Sequence, residues 1–257
     1  MSGTIAMVLS ALTLHELAHI VAVKYLGGQV EKIKPFPLGL SARFRGLEKL
    51  LPRERYVIYG AGSIANAVAA AWAYSVSRIS YVGVPLLEEW AFFNVVLCAF
   101  NLVPILPLDG GRIFHQFLSN RIGILRANGF VTKLGFVVGI GLIILGLVQM
   151  ILYNYNLTLL CAGVYIKRKN KHMKPQLQME FFRAMAGKKF RLLPVRPVKI
   201  SADAFLKHAM GRLTADHMTE FFIEKECQSI SETALLEYVF ANGLRGTVSD
   251  LLTGQRL

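Results

Sequence analysis

Two histidines and a glutamate lie inside an apolar stretch near the start of the chain, LTLHELAHIV (Leu12 to Val21). His15 and His19 are four residues apart, so on a helix both imidazoles lie on one face and can reach one ion. Glu16 follows the first histidine, where its carboxylate can take a proton from water. H-E-x-x-H is the zinc hydrolase arrangement, with two nitrogen ligands, a carboxylate base and an open coordination position. Because polar groups are costly at membrane depth, the pattern favours a metal site over two histidines that are merely hydrogen-bonded.

Zinc needs a third protein ligand, and three carboxylates are available for it. Glu31 and Glu48 lie in a basic loop outside the apolar stretch. Asp109 is the better candidate, because it ends another apolar run, NLVPILPLDGGR, in which prolines interrupt the helix and glycines permit a sharp turn. The alternative is that Asp109 only caps the helix that follows.

The composition indicates a polytopic α-helical membrane protein. Of the 257 residues 54% are hydrophobic, and the mean hydropathy is +0.45. We predict about five membrane spans, near residues 3–23, 56–77, 90–108, 134–152 and 155–166, of which the last is short. The first run lacks the basic start of a signal peptide, so we expect it to be a retained helix.

The basic residues predict the orientation of these spans. The net charge is +13, and the lysines and arginines fall mainly after the first, third and last runs. The positive-inside rule then predicts an N-terminus outside and a C-terminal part in the cytoplasm. This orientation brings His15, His19 and Asp109 to the same depth, near the cytoplasmic face. The same distribution argues against nucleic-acid binding, and three scattered cysteines without a CxxC pair argue against a thiolate metal site.

Three motifs occur in successive runs: HELAH, AGSIAN (Ala61 to Asn66) and NLVPILPLDGG. In this order they resemble the site-2 protease family (peptidase family M50) of intramembrane zinc metalloproteases, over roughly residues 5–120. Within that family the chain looks closest to the branch typified by stage IV sporulation protein FB, which cleaves an inactive sigma-factor precursor. Relatives in this branch commonly carry a further helix before the first motif, so that helix is either absent or missing from a shortened start.

The resemblance implies the roles of the site residues. One zinc ion per chain would be held by the positions that match His15, His19 and Asp109, with Glu16 as the catalytic base. The family's second motif is usually A-G-P-x-x-N, and here Asn66 matches its last position. Asn66 is therefore a catalytic candidate that orients or stabilises the scissile carbonyl. The small residues around it also predict close helix packing, and both interpretations can hold at once.

A proline- and glycine-containing loop, KIKPFPLGLSARFRG (Lys32 to Gly46), follows the first run. Its prolines bar a helix and its glycines permit turns. We predict a re-entrant hairpin that offers an edge strand to an extended substrate. The alternative is an ordinary basic loop that binds lipid headgroups.

The C-terminal third is predicted to lie on the cytoplasmic side. We divide the chain into a membrane metalloprotease domain (1–166), a basic juxtamembrane linker (167–190) and a small α/β domain (191–257). The linker segment PQLQMEFFRAMAGKKF is predicted to lie at the membrane surface as an amphipathic helix. In the last domain, helix-capping signals occur at Ser229 with Glu232 and at Thr247 with Asp250.

The element order of the last domain resembles a single cystathionine-β-synthase (CBS) domain. Such domains work in pairs and often bind adenine nucleotides, so the resemblance implies a homo-oligomer and ATP as a second ligand. The alternative is a substrate-docking module without a ligand.

Two classes of function follow. The first is an intramembrane zinc metalloprotease of the bacterial inner membrane or forespore membrane. It would act near the cytoplasmic face, with a sigma-factor precursor as substrate and membrane inhibitor proteins as further partners. The alternative is a polytopic metal transporter or sensor that uses the same His/Asp site. A transporter should show further ligands along a pathway, which the remaining histidines do not provide, and usually repeated halves. A catalytically inactive relative is disfavoured because all four catalytic positions are filled.

Overall fold

The computed structural model describes residues 2–36, 39–47, 50–79, 85–152, 157–188, 193–224 and 228–254. Within these residues the chain forms nine helices and five strands. The helices are α1 (Ser2–Tyr25), α2 (Pro52–Ile79), α3 (Pro85–Asn101), α4 (Asp109–Ile122), α5 (Ile124–Leu152), α6 (Thr158–Lys188), α7 (Leu206–Met210), α8 (Glu232–Asn242) and α9 (Val248–Gly254). The strands are β1 (Gln29–Phe36), β2 (Gly39–Arg45), β3 (Val195–Ile200), β4 (Met218–Ile223) and β5 (Ser229–Ser231).

The chain divides into two compact units, Met1–Phe114 and His115–Leu257, with the boundary inside α4. The sequence placed its domain boundaries elsewhere, at residues 166 and 190. The difference arises because α6 runs from Thr158 to Lys188 as one helix and packs on α5, so the last two apolar runs belong to the same unit as the C-terminal sheet. The predicted linker is therefore helical over most of its length.

Helices occur in all five places where membrane spans are predicted. Two of the described helices, Gly3–Tyr25 and Ile124–Leu152, are long and apolar enough to cross a membrane by length and composition. The helix α2 begins with charged residues, and α6 becomes strongly basic from Lys167, which shortens the apolar part of each. A membrane protein is thus supported, while the number of spans stays a prediction.

The first unit consists of α1, α2 and α3, a β-hairpin and the start of α4. Strands β1 and β2 pair antiparallel, with Val30 opposite Phe44. Both residues pack on a buried cluster formed by Val23 of α1, Ile58 of α2 and Leu50. The predicted hairpin is therefore present and lies against the helices, and the tip residues 37 and 38 fall outside the described part of the chain.

A tight irregular segment, residues 102–108, separates α3 from α4. The helix restarts at Asp109, as the prolines and the glycine pair in the sequence predict. An added Cβ at Gly110 or Gly111 would overlap the backbone of the irregular segment. Glycine at both positions thus allows the irregular segment to pass close to the first turn of α4.

The C-terminal part of the second unit contains a three-stranded sheet in the order β3-β4-β5, with β3 parallel to β4 and β4 antiparallel to β5. Leu206, Phe221 and Leu235 lie in its core. Phe181 and Met185 of α6 belong to the same core. Two apolar side chains of the predicted surface segment are thus buried in protein, whereas Met179 and Phe182 are exposed. Contact of this part of α6 with the membrane surface stays a prediction.

Capping at two helix starts in this unit can be compared with the prediction. Helix α8 is capped by Ser231, whose hydroxyl accepts from the backbone N–H of Ala234 at 3.2 Å. The predicted cap at Ser229 is thus displaced by two residues. At α9 the prediction is confirmed, since the Asp250 carboxylate accepts from the backbone N–H of Thr247 at 2.7 Å.

Candidate metal centre

The three predicted metal ligands meet at one point in the first unit. Nε2 of His15 and Nε2 of His19 lie 3.0 and 2.9 Å from Oδ2 of Asp109. The two Nε2 atoms are 3.2 Å apart. The histidines come from one face of α1 and are buried, and the aspartate is the first residue of α4. Two segments about ninety residues apart in sequence are therefore joined at a single cluster of donor atoms.

The other ring nitrogen of His19 fixes its tautomer. Nδ1 lies 2.7 Å from the backbone carbonyl of Ile58 in α2. A carbonyl can only accept, so Nδ1 carries the proton and donates it. The Nε2 lone pair of the neutral ring is then directed at Asp109, as a metal ligand requires.

Two asparagines linked by hydrogen bonds fix the tautomer of His15. The Asn94 amide donates to the carbonyl of Trp90 at 2.8 Å, which leaves Asn94 Oδ1 to accept from Asn66 Nδ2 at 3.1 Å. Asn66 Oδ1 must then be the atom that accepts from His15 Nδ1, at 3.1 Å. This hydrogen-bond chain, which starts at a backbone carbonyl, leaves the Nε2 lone pair of His15 free for the cluster.

These donor atoms fit a zinc ion in number, type and spacing. Two imidazole nitrogens and one carboxylate oxygen form a ligand set typical of zinc sites that keep an open position. Bonds of 2.0–2.1 Å in a tetrahedron would hold ligand atoms about 3.3 Å apart. The observed separations of 2.9–3.2 Å are close to that value. In the described part of the chain this is the one group of histidine, cysteine and acidic side chains with such geometry.

Gly62 allows α2 to lie directly against the two imidazoles. An added Cβ at this position would be 2.5 Å from His15 Cε1 and 2.5 Å from His19 Nε2. No side chain fits there without moving the ligands. The glycine of the second sequence motif therefore has a steric role at the metal centre.

The predicted base lies beside the cluster. Glu16 is half-buried on α1, one residue after His15 and three before His19. Residues three apart are neighbours on a helix surface, so the Glu16 carboxylate lies next to the His19 side of the ligand pair. Its role as the base stays a prediction.

Of the two alternative third ligands, Glu31 is not found at the cluster. Glu31 instead pairs with Arg45 across the hairpin, with Oε1 and Nη2 2.7 Å apart. Glu48 lies outside the described residues. Asp109 also begins α4, so the ligand and capping interpretations are compatible.

Asn66 contacts the predicted ligand His15, while its predicted role at the scissile carbonyl stays a prediction. It is fully buried, and its amide contacts His15, Asn94 and the carbonyl of Ala11. The structure thus places it behind a metal ligand, where it orients the ring. Asn94 was missed, although a lone asparagine in the apolar run EEWAFFNVVLCAF was a visible signal.

The chain belongs by its features to a class of candidate zinc-binding membrane proteins. These features are a mainly helical fold, a buried His-His-Asp cluster and an adjacent glutamate. Residues 79–146 match the model of peptidase family M50. The chain is 30% identical over 160 residues to a zinc metalloprotease of Methanocaldococcus jannaschii, which covers 61% of this chain and 44% of that protein. It is 33% identical over 157 residues to a putative zinc metalloprotease of Mycobacterium tuberculosis, covering 58% and 40% of the two chains. The match thus spans less than half the length of these two relatives.

Two further similarities cover a larger share of the similar protein. Stage IV sporulation protein FB of Bacillus subtilis is 22% identical over 238 residues, covering 89% of this chain and 81% of that protein. The solved structure of the site-2 protease from Methanocaldococcus jannaschii matches with a TM-score of 0.55 and 25% identity, covering 66% of this chain and 76% of that one. Together with the family model, these findings support the M50, or site-2 protease, family for this chain.

Proposed function

We propose that this protein is an intramembrane zinc metalloprotease that hydrolyses a peptide bond of a membrane-associated protein near the cytoplasmic face. The observation that carries the proposal is the convergence of His15, His19 and Asp109, with Glu16 beside them on α1. The similarity to zinc metalloproteases supports the same activity.

The residues of the site have separable roles in this reaction. A zinc ion at the cluster would supply Lewis acidity toward a carbonyl oxygen and toward water. His15 and His19 donate nitrogen lone pairs, and Asp109 contributes one negative charge that offsets part of the charge of the ion. Glu16 takes a proton from the attacking water and later delivers it to the leaving amine. Burial of the two histidines keeps bulk water away from the ligands.

The hairpin suits the presentation of a substrate backbone. A two-stranded sheet leaves one edge of each strand without a strand partner, and an extended peptide can pair with such an edge. Strand β1 begins at Gln29, four residues after the helix that carries the metal ligands ends. An added strand would therefore hold a substrate in extended form close to that helix, which proteolysis of a helical membrane segment requires.

Similarity supports the proposed substrate and the proposed class of the small C-terminal domain. The match to stage IV sporulation protein FB reaches across most of both chains, which supports a sigma-factor precursor as the substrate and a sporulation role. The order β3-α7-β4-β5-α8 is that expected of a CBS-like domain. Pairing of such domains, ATP binding, membrane inhibitors and the predicted orientation remain predictions from the sequence.

A metal transporter or sensor is the weaker function. A transport pathway needs successive ligand sites, and the described residues contain a single candidate cluster. Glu16 beside that cluster also has no role in transport. The same four side chains are all used in peptide hydrolysis.

The test uses the full chain in detergent as wild type, Glu16→Gln and a control, Glu89→Gln, which removes an exposed carboxylate from α3. Zinc per chain is measured by inductively coupled plasma mass spectrometry, and cleavage is followed with a sigma-factor precursor bearing its membrane-associated segment. We expect about one zinc in all three proteins. Cleavage should fall by about 10²- to 10⁴-fold in Glu16→Gln alone, because general base catalysis contributes that much.

Each remaining outcome rejects a defined part of the proposal. Absence of zinc from the wild type would overturn the metal centre. Equal cleavage by wild type and Glu16→Gln would remove Glu16 from the base role. Zinc flux into liposomes by a wild type that cuts no membrane substrate would favour the transporter.

A further inference from the structure

A basic cavity of about 520 Å³ lies between α5 and α6 in the second unit. Its volume falls in the range of ligand-binding pockets. Four lysines line it, together with two apolar side chains of α5: Lys133, Lys167, Lys171, Lys174, Phe136 and Val137. The metal centre uses none of these residues.

Glycines set the alignment of the two helices. An added Cβ at Gly146 would meet Leu160, one at Gly139 would meet Lys167, and one at Gly135 would meet Asn170. Residues later in α6 thus contact residues earlier in α5. The two helices are therefore antiparallel and in close contact. The apolar run of α5 begins just after Lys133, and that of α6 ends just before Lys167. Both helices therefore change from apolar to basic at the same level.

The lysines form one positively charged surface. Lys167, Lys171 and Lys174 are spaced i, i+4, i+7 and share a face of α6, and Lys133 approaches from α5. All four are exposed, and none forms an ion pair with a carboxylate in the described part of the chain. Among the residues that the structure describes, no acidic side chain lines the cavity. Four like charges around one cavity repel each other unless an anion neutralises them.

Apolar surface adjoins this charge on one side. Phe136 is 50% exposed and Val137 is 64% exposed. The Lys167 ammonium lies 5.9 Å from the centroid of the Phe136 ring, so charge and apolar surface are in contact. A ligand that fills the cavity and covers both surfaces needs an anionic group and a hydrocarbon chain.

We propose that this cavity binds the phosphodiester headgroup of an anionic phospholipid, with the acyl chains along Phe136 and Val137. Basic pockets between membrane helices on the cytoplasmic side are suited to such headgroups. The inference rests on the membrane placement of α5 and not on proteolysis. Since α6 continues into the core that contains Phe181, the bound lipid would fix the membrane end of the helix on which the C-terminal unit is built.

The experiment measures lipid retention by native mass spectrometry on the full chain. The detergent-solubilised protein is mixed with equimolar phosphatidylglycerol and phosphatidylcholine, which differ in headgroup charge. The test variant is Lys167→Gln/Lys171→Gln. The charge-matched control is Arg168→Gln/Lys169→Gln, which removes two positive charges from the same stretch of α6 outside the cavity lining. A third arm adds millimolar glycerol 1-phosphate as a soluble phosphate.

We expect the wild type and the control to retain phosphatidylglycerol preferentially. The test variant should bind it more weakly by about fivefold for each lysine removed. Circular dichroism and size-exclusion profiles check folding, and Lys133→Gln/Lys174→Gln replaces the test variant if that protein does not fold.

Three results would overturn the inference. The first is no preference for phosphatidylglycerol in the wild type. The second is an equal loss of phosphatidylglycerol binding in the test variant and the control. That result would show that the lipid is attracted by the overall positive charge and not by a defined site. The third is displacement of the lipid by glycerol 1-phosphate at concentrations comparable to the lipid, which would assign the cavity to a soluble phosphate. The readout is independent of cleavage, so failure of the proposed protease function would leave it unchanged.

Discussion

The side-chain oxygen of Asn66 lies 3.1 Å from Nδ1 of His15, and the other nitrogen of the same ring lies 3.0 Å from Asp109. The imidazole is thus held from behind by an amide while its front faces the metal site. Asn94 fixes that amide in turn, from a third helix. Orientation of one ligand therefore depends on α1, α2 and α3 together.

Replacement of Asn66 by alanine should weaken zinc binding by about 10- to 100-fold, because partners of metal-bound histidines contribute that much to affinity. The dissociation constant is measured by competition with a chromogenic chelator. Ser63→Ala is the matched control, since Ser63 is buried on the same helix and its hydroxyl has no hydrogen-bond partner. Unchanged affinity in Asn66→Ala would contradict the positioning role.

Gly62→Ala should abolish zinc binding without unfolding the protein. The new methyl group would lie 2.5 Å from atoms of both imidazoles and displace them. Gly60→Ala is the control, since its Cβ would meet only Ile64, at 3.6 Å. Alanine favours helix over glycine by about 1 kcal/mol, so neither change should weaken α2 itself. Zinc content reports the loss of binding, and circular dichroism reports the helix content. A full zinc complement in Gly62→Ala would show that α1 and α2 are further apart than described.

Zinc should stabilise the wild type but not Asp109→Asn. At a free zinc concentration 100-fold above the dissociation constant, binding adds about 2.7 kcal/mol to folding stability. Asparagine remains a good residue at a helix start, so this variant separates the ligand role of Asp109 from the capping role. Thermal unfolding in detergent is followed after chelation and after zinc is restored, with magnesium as the control ion. Equal zinc-dependent shifts in both proteins would mean that Asp109 only starts α4.

The C-terminal unit depends on one buried ion pair. Nζ of Lys188 lies 2.7 Å from Oε1 of Glu232, and both residues are buried. Burial lowers the pKa of the Lys188 ammonium, and the Glu232 carboxylate opposes that shift. The pair connects the end of α6 to the start of α8.

Glu232→Gln should destabilise this unit by about 3–5 kcal/mol, since it leaves a buried charge without a partner. Hydrogen exchange of β3 and β4 in the full chain measures the change in opening free energy. Glu237→Gln, which removes an exposed carboxylate from the same helix, should have little effect. The double variant Lys188→Met/Glu232→Met should lose less opening free energy than Glu232→Gln, because it leaves no buried charge without a partner. The opposite order would contradict the role of the unpaired charge.

Local patterns were sufficient to predict the three side chains that meet in the candidate metal cluster and most helix positions. The spacing of His15 and His19 fixes their shared face as soon as α1 is a helix, because the period of a helix is local. Prolines and glycines around Asp109 marked the break between α3 and α4 for the same reason. The hairpin was likewise predicted from residues that bar a helix and permit turns.

Contacts between distant segments could not be predicted from local sequence patterns. The partners of the two imidazoles, Ile58 and Asn66, lie 39 and 51 residues from them, and Asn94 lies 28 residues further along. Their contacts depend on how α2 and α3 pack on α1, which no local period specifies. For the same reason the burial of Phe181 and Met185 of α6 in the C-terminal core was not predicted.

The sequence by itself thus determined which side chains are candidates for binding a metal ion, since residue type and helical spacing are local properties. Only the tertiary structure decided which nitrogen of each ring faces Asp109, because that choice is made by hydrogen-bond partners brought in from other helices.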